Sequence, residues 1–250
     1  NRPERFNEPC VFAAISVKGT EPLARVLEGP VPSRKIFGPV GSAVGSPGTT
    51  YGLPRFAEAS FEARFPFGKV TLTDPLLPFG VEVMGWSPFT PGNADDSSLP
   101  VAGLEYRFTN HTAADVEAVF SFNAKNFLTP EKAPPDLQAV RKAPGGFTLW
   151  NGAPPGKPWE EATFSATVSE PDAKVNHGWF RGDWWDALTL AWKDVEHGAA
   201  YDAPPPASGL PSPGATLFVP FTLKPGASRT ITVRLAWYCG LSSMRSLDDP

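Results

Sequence analysis

Residues 101–108 read Val-Ala-Gly-Leu-Glu-Tyr-Arg-Phe, and this stretch decides the fold class. Ala102, Leu104, Tyr106 and Phe108 stand one residue apart, with Glu105 and Arg107 between the later ones. Successive side chains of a strand point to opposite faces, so this spacing gathers the apolar set on one face and the charges on the other. The period recurs along the chain. In 60–65, Phe61, Ala63 and Phe65 are expected to face the core and Glu62 and Arg64 the solvent. Val116, Ala118, Phe120 and Phe122 repeat it, as do Ile231, Val233, Leu235 and Trp237 against Thr230, Thr232 and Arg234. Further strands are predicted at 11–17, 70–73, 81–86, 147–150, 164–168 and 217–223, about a dozen in all.

Between the strands lie turn-forming clusters at 38–52, 91–100, 109–113, 154–158 and 203–213. The 30 prolines and 23 glycines are spread along the chain, and proline is excluded from helix interiors and central strands. Short strands joined by many turns follow, and long helices do not. Short helical character is predicted in two places only: 134–143, and 184–192, where Trp184, Leu188 and Trp192 stand at i, i+4 and i+8. No helical crossover separates the strands, so pairing is expected to be antiparallel. The predicted architecture is all-β, a large antiparallel two-sheet β-sandwich with long Pro/Gly-rich loops, forming a single domain over residues 1–250.

Charged residues are 19% of the chain and the net charge is -4, which leaves no basic stripe for a phosphate backbone, so no nucleic acid partner is expected. No apolar run approaches the roughly 18 residues of a membrane span. The segment is read as soluble, with a cytoplasmic location favoured over a secreted one. Of the two cysteines, Cys10 and Cys239, the favoured reading is a pair of buried free thiols, with one bridge between terminal strands as the alternative.

Candidate chemistry is sparse. His111, His177 and His197 lack metal-ligand spacing and a nucleophile elbow is absent, so structural histidines, no metal and no cofactor are expected. The glycines of 38–52 lack the lysine and helix of a phosphate loop. Paired carboxylates are what a glycosidase requires, one to protonate the leaving oxygen and one to attack or activate water. Asp95 with Asp96, Glu160 with Glu161 and Asp183 with Asp186 are the pairs available, and in turns such residues serve more often as caps. Six of the eight tryptophans fall between Trp150 and Trp192. Trp184 and Trp185 suit a sugar-stacking platform, although core or interface packing is the favoured reading. Asn110-His111-Thr112 is a glycosylation sequon of the kind that arises by chance.

Several segments carry a resemblance: 66–78 with Asp74-Pro75-Leu76-Leu77-Pro78, Trp86-Ser87-Pro88-Phe89-Thr90-Pro91, 93–100 with Asp95-Asp96-Ser97-Ser98, 106–110, Asp183-Trp184-Trp185-Asp186, and 214–221 with Trp237-Tyr238. Together they resemble the N-terminal domain of the bile acid β-glucosidase, or non-lysosomal glucosylceramidase, family, glycoside hydrolase family 116. The resemblance implies a β-sandwich followed by an (α/α)6 barrel carrying a glutamate nucleophile and an aspartate acid/base of a retaining β-glycosidase. Those residues have no counterpart here, so no catalytic residue is assigned. It also implies that loop 86–100 (Trp86, Phe89, Asp95, Asp96, Ser97) and turn 183–186 (Asp183, Trp184, Trp185, Asp186) contact the catalytic barrel or line its substrate cleft. The expected partners are that barrel, in the same polypeptide, and carbohydrate. The alternative is a free-standing carbohydrate-binding module. A self-sufficient enzyme is a third reading, and it needs two carboxylates about 5 to 10 Å apart in a cleft. After Tyr238 the sequence departs from the family's pattern, reading Cys239-Gly240-Leu241.

Overall fold

The computed structural model describes residues 11–19, 23–31, 52–129, 134–182 and 186–241. In chain order the strands are β1 (Val11–Val17), β2 (Leu23–Val26), β3 (Glu58–Arg64), β4 (Phe67–Thr73), β5 (Phe79–Trp86), β6 (Val101–Asn110), β7 (Val116–Lys125), β8 (Gln138–Ala143), β9 (Gly146–Asn151), β10 (Ala162–Thr167), β11 (Lys174–Asn176), β12 (Gly214–Leu223) and β13 (Ser228–Cys239). Among the described residues two α-helices interrupt them, α1 (Ala94–Ser97) and α2 (Ala187–Glu196). The small sheet has five strands in the order β11-β12-β7-β1-β2, and the large sheet has eight, β3-β4-β5-β6-β13-β10-β9-β8. Every ladder between strands is antiparallel.

The inner faces of the two sheets make the main core. Phe108 of β6 meets Phe120 of β7 and Phe221 of β12, with ring centroids 6.1 and 5.3 Å away, and Tyr106 lies 4.8 Å from Phe120. Arg25 of β2 ties the sheets at one side through an ion pair of 2.8 Å with the buried Asp74, in the turn between β4 and β5. A second core lies on the outer face of the small sheet, where Leu188, Trp192 and Val195 of α2 cover Phe12, Val119 and Phe218. Only Leu188 and Trp192 of the apolar stripe expected at 184–192 fall within described residues, and both are buried.

The large sheet is wider than the small one, and its inner face therefore grades from covered to bare. One cross-strand row runs Ile231, Tyr106, Val83, Val70, Phe61. Ile231 is 0% and Tyr106 4% exposed, Val83 and Val70 are half-buried, and Phe61 is 70% exposed. The expected core placement of Phe61, Ala63 and Phe65 is thus corrected: all of β3 is exposed, and Phe65 is 80% exposed. Phe61 and Ala63 do lie on the inner face, but no strand of the small sheet lies over them.

Residues 134–143 also differ from expectation. A 3-10 turn at Pro135–Leu137 leads straight into β8, which pairs with β9 across a hairpin turned at Gly145, φ +68°. Ala139, Arg141 and Lys142 favour helix as isolated residues, and the tertiary pairing overrides them. Arg141 and Lys142 also put charge on an edge strand, which discourages pairing with another chain.

Candidate functional site

Loop 86–100 joins β5 to β6 at the end of the large sheet where β9 and β13 also terminate. Trp86 closes β5 with its ring laid across Gly103 on the outer face; a methyl group at 103 would stand 2.3 Å from the ring. Its Nε1 donates to Glu105 Oε1 at 3.0 Å. One ring face and the indole N–H are therefore used within the sheet.

The rest of the loop folds around α1. Asn93 Oδ1 accepts from the Asp96 amide at 3.0 Å, while Asn93 Nδ2 donates to Asp96 Oδ2 at 2.8 Å. This is a reciprocal cap, in which the two side chains satisfy each other. Ser97 Oγ accepts from the Thr90 amide and bonds the Thr90 and Asn93 carbonyl oxygens, closing the loop on itself. Asp96 and Ser97 thus build the loop, whereas the Asp95 carboxylate is exposed and makes no hydrogen bond within it. Phe89 packs edge-on against Phe65 of the β3–β4 turn, ring centroids 4.8 Å apart, so the loop is clipped to the bare edge of the sheet.

Of the second candidate turn, Asp183, Trp184 and Trp185 lie outside the described residues. Asp186 is the N-cap of α2, its Oδ2 accepting from the Thr189 amide at 3.0 Å and from Thr189 Oγ1 at 2.9 Å. It borders an open cavity of about 360 Å³ with Phe180, Arg181, Leu210 and Gln138. Arg181 is held there by the carbonyl oxygens of Ser208 and Leu210, at 2.8 and 2.7 Å.

The two candidate regions do not meet. β5 and β8 are five strands apart in the large sheet, roughly 24 Å at the usual strand spacing. Carboxyl groups that share a glycosidic bond stand about 5 to 10 Å apart, so Asp95 and Asp186 do not form a catalytic pair. Glu160 is engaged with Lys157 Nζ at 2.8 Å in a surface 3-10 turn. No group of three or more His, Cys, Asp or Glu side chains suited to a metal occurs among the described residues.

Two of the three histidines and the sequon have local explanations. His177 is buried with Nδ1 2.9 Å from the Ala203 carbonyl oxygen and Nε2 3.3 Å from that of Gly146. His197 Nδ1 lies 2.6 Å from the Lys193 carbonyl oxygen, at the end of α2. Asn110 is buried, donating to the carbonyl oxygens of Ala114 and Leu223 and accepting from Thr112, an arrangement no glycan could enter. Cys239 is a free thiol and exposed, correcting the expectation of burial; Cys10 lies outside the described residues.

Around Phe89, which the sequence singles out, stand exposed aromatic residues that sequence reasoning did not assign to a surface. Phe61, Phe65, Phe67 and Phe89 at the β3–β5 side, with Trp237 and Tyr238 at the end of β13, are all large and exposed. Their alternation resembled that of core strands. The density of aromatic residues at strand ends was the available signal. Trp150, by contrast, has one face covered, with the Arg141 guanidinium 3.9 Å above its ring, and Gly152 lies against its edge. Trp179 and Trp192 are core residues, as the favoured reading of the tryptophans anticipated.

Fold and surface together define an antiparallel β-sandwich with an exposed aromatic end. The chain belongs to the family described as beta-glucosidase 2, glycosyl-hydrolase family 116 N-term, whose model matches residues 5–246. None of the curated proteins matches the sequence. Among solved structures, a polysaccharide lyase superposes with a TM-score of 0.41 at 13% identity, over 92% of this chain and 26% of the lyase. A protein described as a kojibiose phosphorylase from the human microbiome gives 0.37 at 11% identity, over 72% of this chain and 20% of the other. The chain thus spans about a quarter of the lyase and a fifth of the phosphorylase.

Proposed function

We propose that this chain is a non-catalytic companion domain of a β-glucosidase or glucosylceramidase-like glycoside hydrolase. In this reading it packs on the catalytic barrel of the same polypeptide and shapes the outer part of the substrate cleft. The observation that carries the proposal is the gathering of Phe65, Phe67, Phe89, Trp237 and Tyr238 at one end of the large sheet. Several exposed large aromatic side chains at one end of a sheet favour a contact with another body there. Membership of a family of N-terminal glycosidase domains supports a catalytic domain as that body.

Within that arrangement Asp95 is the loop residue with a carboxylate to spare, suited to accept a hydrogen bond from a sugar hydroxyl at the cleft rim. Asp96 and Ser97 support it by holding the turn. The test is Asp95→Ala in the full-length enzyme, with kcat/KM measured on aryl β-glucosides. Loss of one hydrogen bond to substrate predicts a fall of about 5- to 30-fold, from roughly 1 to 2 kcal/mol. Unchanged kcat/KM on every aryl glycoside would remove the cleft role. The free-standing carbohydrate-binding module has less support. Such a module needs aromatic rings with a free face; Trp86 and Trp150 are each covered on one side, and the exposed Trp159, Trp237 and Tyr238 are the rings it would use. A calorimetric titration of the chain with cello-oligosaccharides that gave measurable heat would revive it.

A further inference from the structure

The strands β3, β4 and β5 have two faces of opposite chemistry. Their outer face carries a ladder of charges: Lys69 Nζ lies 3.8 Å from Glu62 and 3.4 Å from Glu82, and Arg107 of β6 lies 3.9 Å from Glu82. Phe67 and Met84 lie on that face beside the charges. The inner face at the same positions holds Phe61, Val70 and Val83 in one row and Ala63, Gly68, Gly85 and Leu104 in the next. Gly68 and Gly85 let the Phe61 ring and the Leu104 side chain lie close over the main chain, so the surface is low between them, with Phe61 as its aromatic rim.

The hollow deepens between the sheets. A cavity of about 360 Å³ opens there, bounded by Val70, Val83 and Leu104 on one side and Val11, Ala13 and Leu27 on the other. Two polar groups border it, Glu28 and Tyr106. The Tyr106 side chain is 4% exposed, and its hydroxyl makes no hydrogen bond among the described residues. Burial, and then the Glu28 carboxylate, raise the Tyr106 pKa above its ordinary value, so the phenol keeps its proton. The Glu28 carboxylate is already 3.4 Å from Arg55 Nε, so the cavity, apolar with an unpaired hydroxyl at its border, suits an apolar side chain followed by a hydrogen-bonding group.

We infer that this hollow, from Phe61 to Tyr106, is the seat of the catalytic domain of the same polypeptide, which inserts an apolar ridge between the rim and the cavity. The occupant is chosen by continuity: β13 runs along the same inner face, its side chains passing from the buried Ile231 and Val233 through the half-buried Leu235 to the exposed Trp237. The polypeptide therefore leaves the sandwich beside the hollow. The inference rests on the companion-domain reading and adds to it the face that docks.

Neighbouring residues on opposite faces supply an internal control. In the full-length polypeptide carrying Cys239→Ser, Phe61→Cys should react with a maleimide about tenfold more slowly than Glu62→Cys, since a docked face is shielded while the charged face is not. A photo-crosslinking benzoylphenylalanine in place of Phe61 should form adducts with residues beyond 250. Equal labelling rates, or adducts only with residues 1–51 or with a second copy, would overturn the seat. If the same crosslinker at Phe89 or Ser97 reached beyond 250 while that at Phe61 did not, the companion-domain reading would stand and this docking face would fall. Absence of such adducts from all of these positions would overturn both.

Discussion

At the centre of the large sheet Phe108 is wholly buried among Phe79, Phe120 and Phe221, whereas Phe61, three strands away on the same face, is 70% exposed. Both sit in alternating strands, and their immediate sequences resemble each other. The difference lies in what is overhead. Five strands cannot cover eight, and the small sheet is placed over β13 and β6 rather than over β3. Alternation fixes which side chains share a face, while the width of the opposing layer decides whether that face becomes core or docking surface.

The widest separation between the two regions should appear on truncation. Phe108→Ala is expected to cost about 3 to 5 kcal/mol, because the transfer term is joined by a cavity the surrounding rings cannot close. Chemical denaturation followed by tryptophan fluorescence measures it. Gly103→Val sharpens the contrast from the outer face: the added side chain displaces the Trp86 ring and should cost about 1 to 3 kcal/mol, seen in the same experiment with a changed emission maximum. Asp186→Ala removes the cap of α2, away from both regions, and should cost about 1 kcal/mol. Phe61→Ser should change the stability of the sandwich by no more than about 0.5 kcal/mol, since no neighbour above it is lost. A loss comparable to that at Phe108 would break the distinction drawn here.

The smallest effect concerns pH. The Val175 amide, which donates to Asp202 Oδ1 at 2.9 Å, is the chief cause that holds the Asp202 carboxyl below its ordinary value, with Lys174 assisting. A depressed folded value means that the contribution is complete above the unfolded value of about 3.9 and fades as pH falls through the folded one. The Val175 amide resonance should therefore be constant above about pH 5 and shift only in acid, and Asp202→Asn should abolish that shift.

Much of this architecture is legible in the residues. β6, β7 and β13 follow from alternation, and the antiparallel pairing from the absence of crossover helices. β2 and β11, four and three residues long, are too short for a period to register. β8 has the residues of a helix and becomes a strand because β9 offers it a ladder. The candidate site was less legible. The Asn93–Asp96 cap and the Phe65–Phe89 contact follow from local geometry, and the separation of loop 86–100 from Asp186 follows only from strand order. The bare inner face has no sequence signature of its own, since an exposed Phe61 and a buried Phe108 obey one pattern.

The central claim is that these residues are one part of a glycosidase whose catalytic groups lie elsewhere in the same polypeptide. The most direct measurement is the mass of the native polypeptide that carries them, detected in its source with an antibody to this segment. The account predicts a product much heavier than the 26.8 kDa of the chain, with β-glucosidase activity in the same fraction. A native product of about 26.8 kDa would contradict it and would make glycan binding by an independent module the leading explanation.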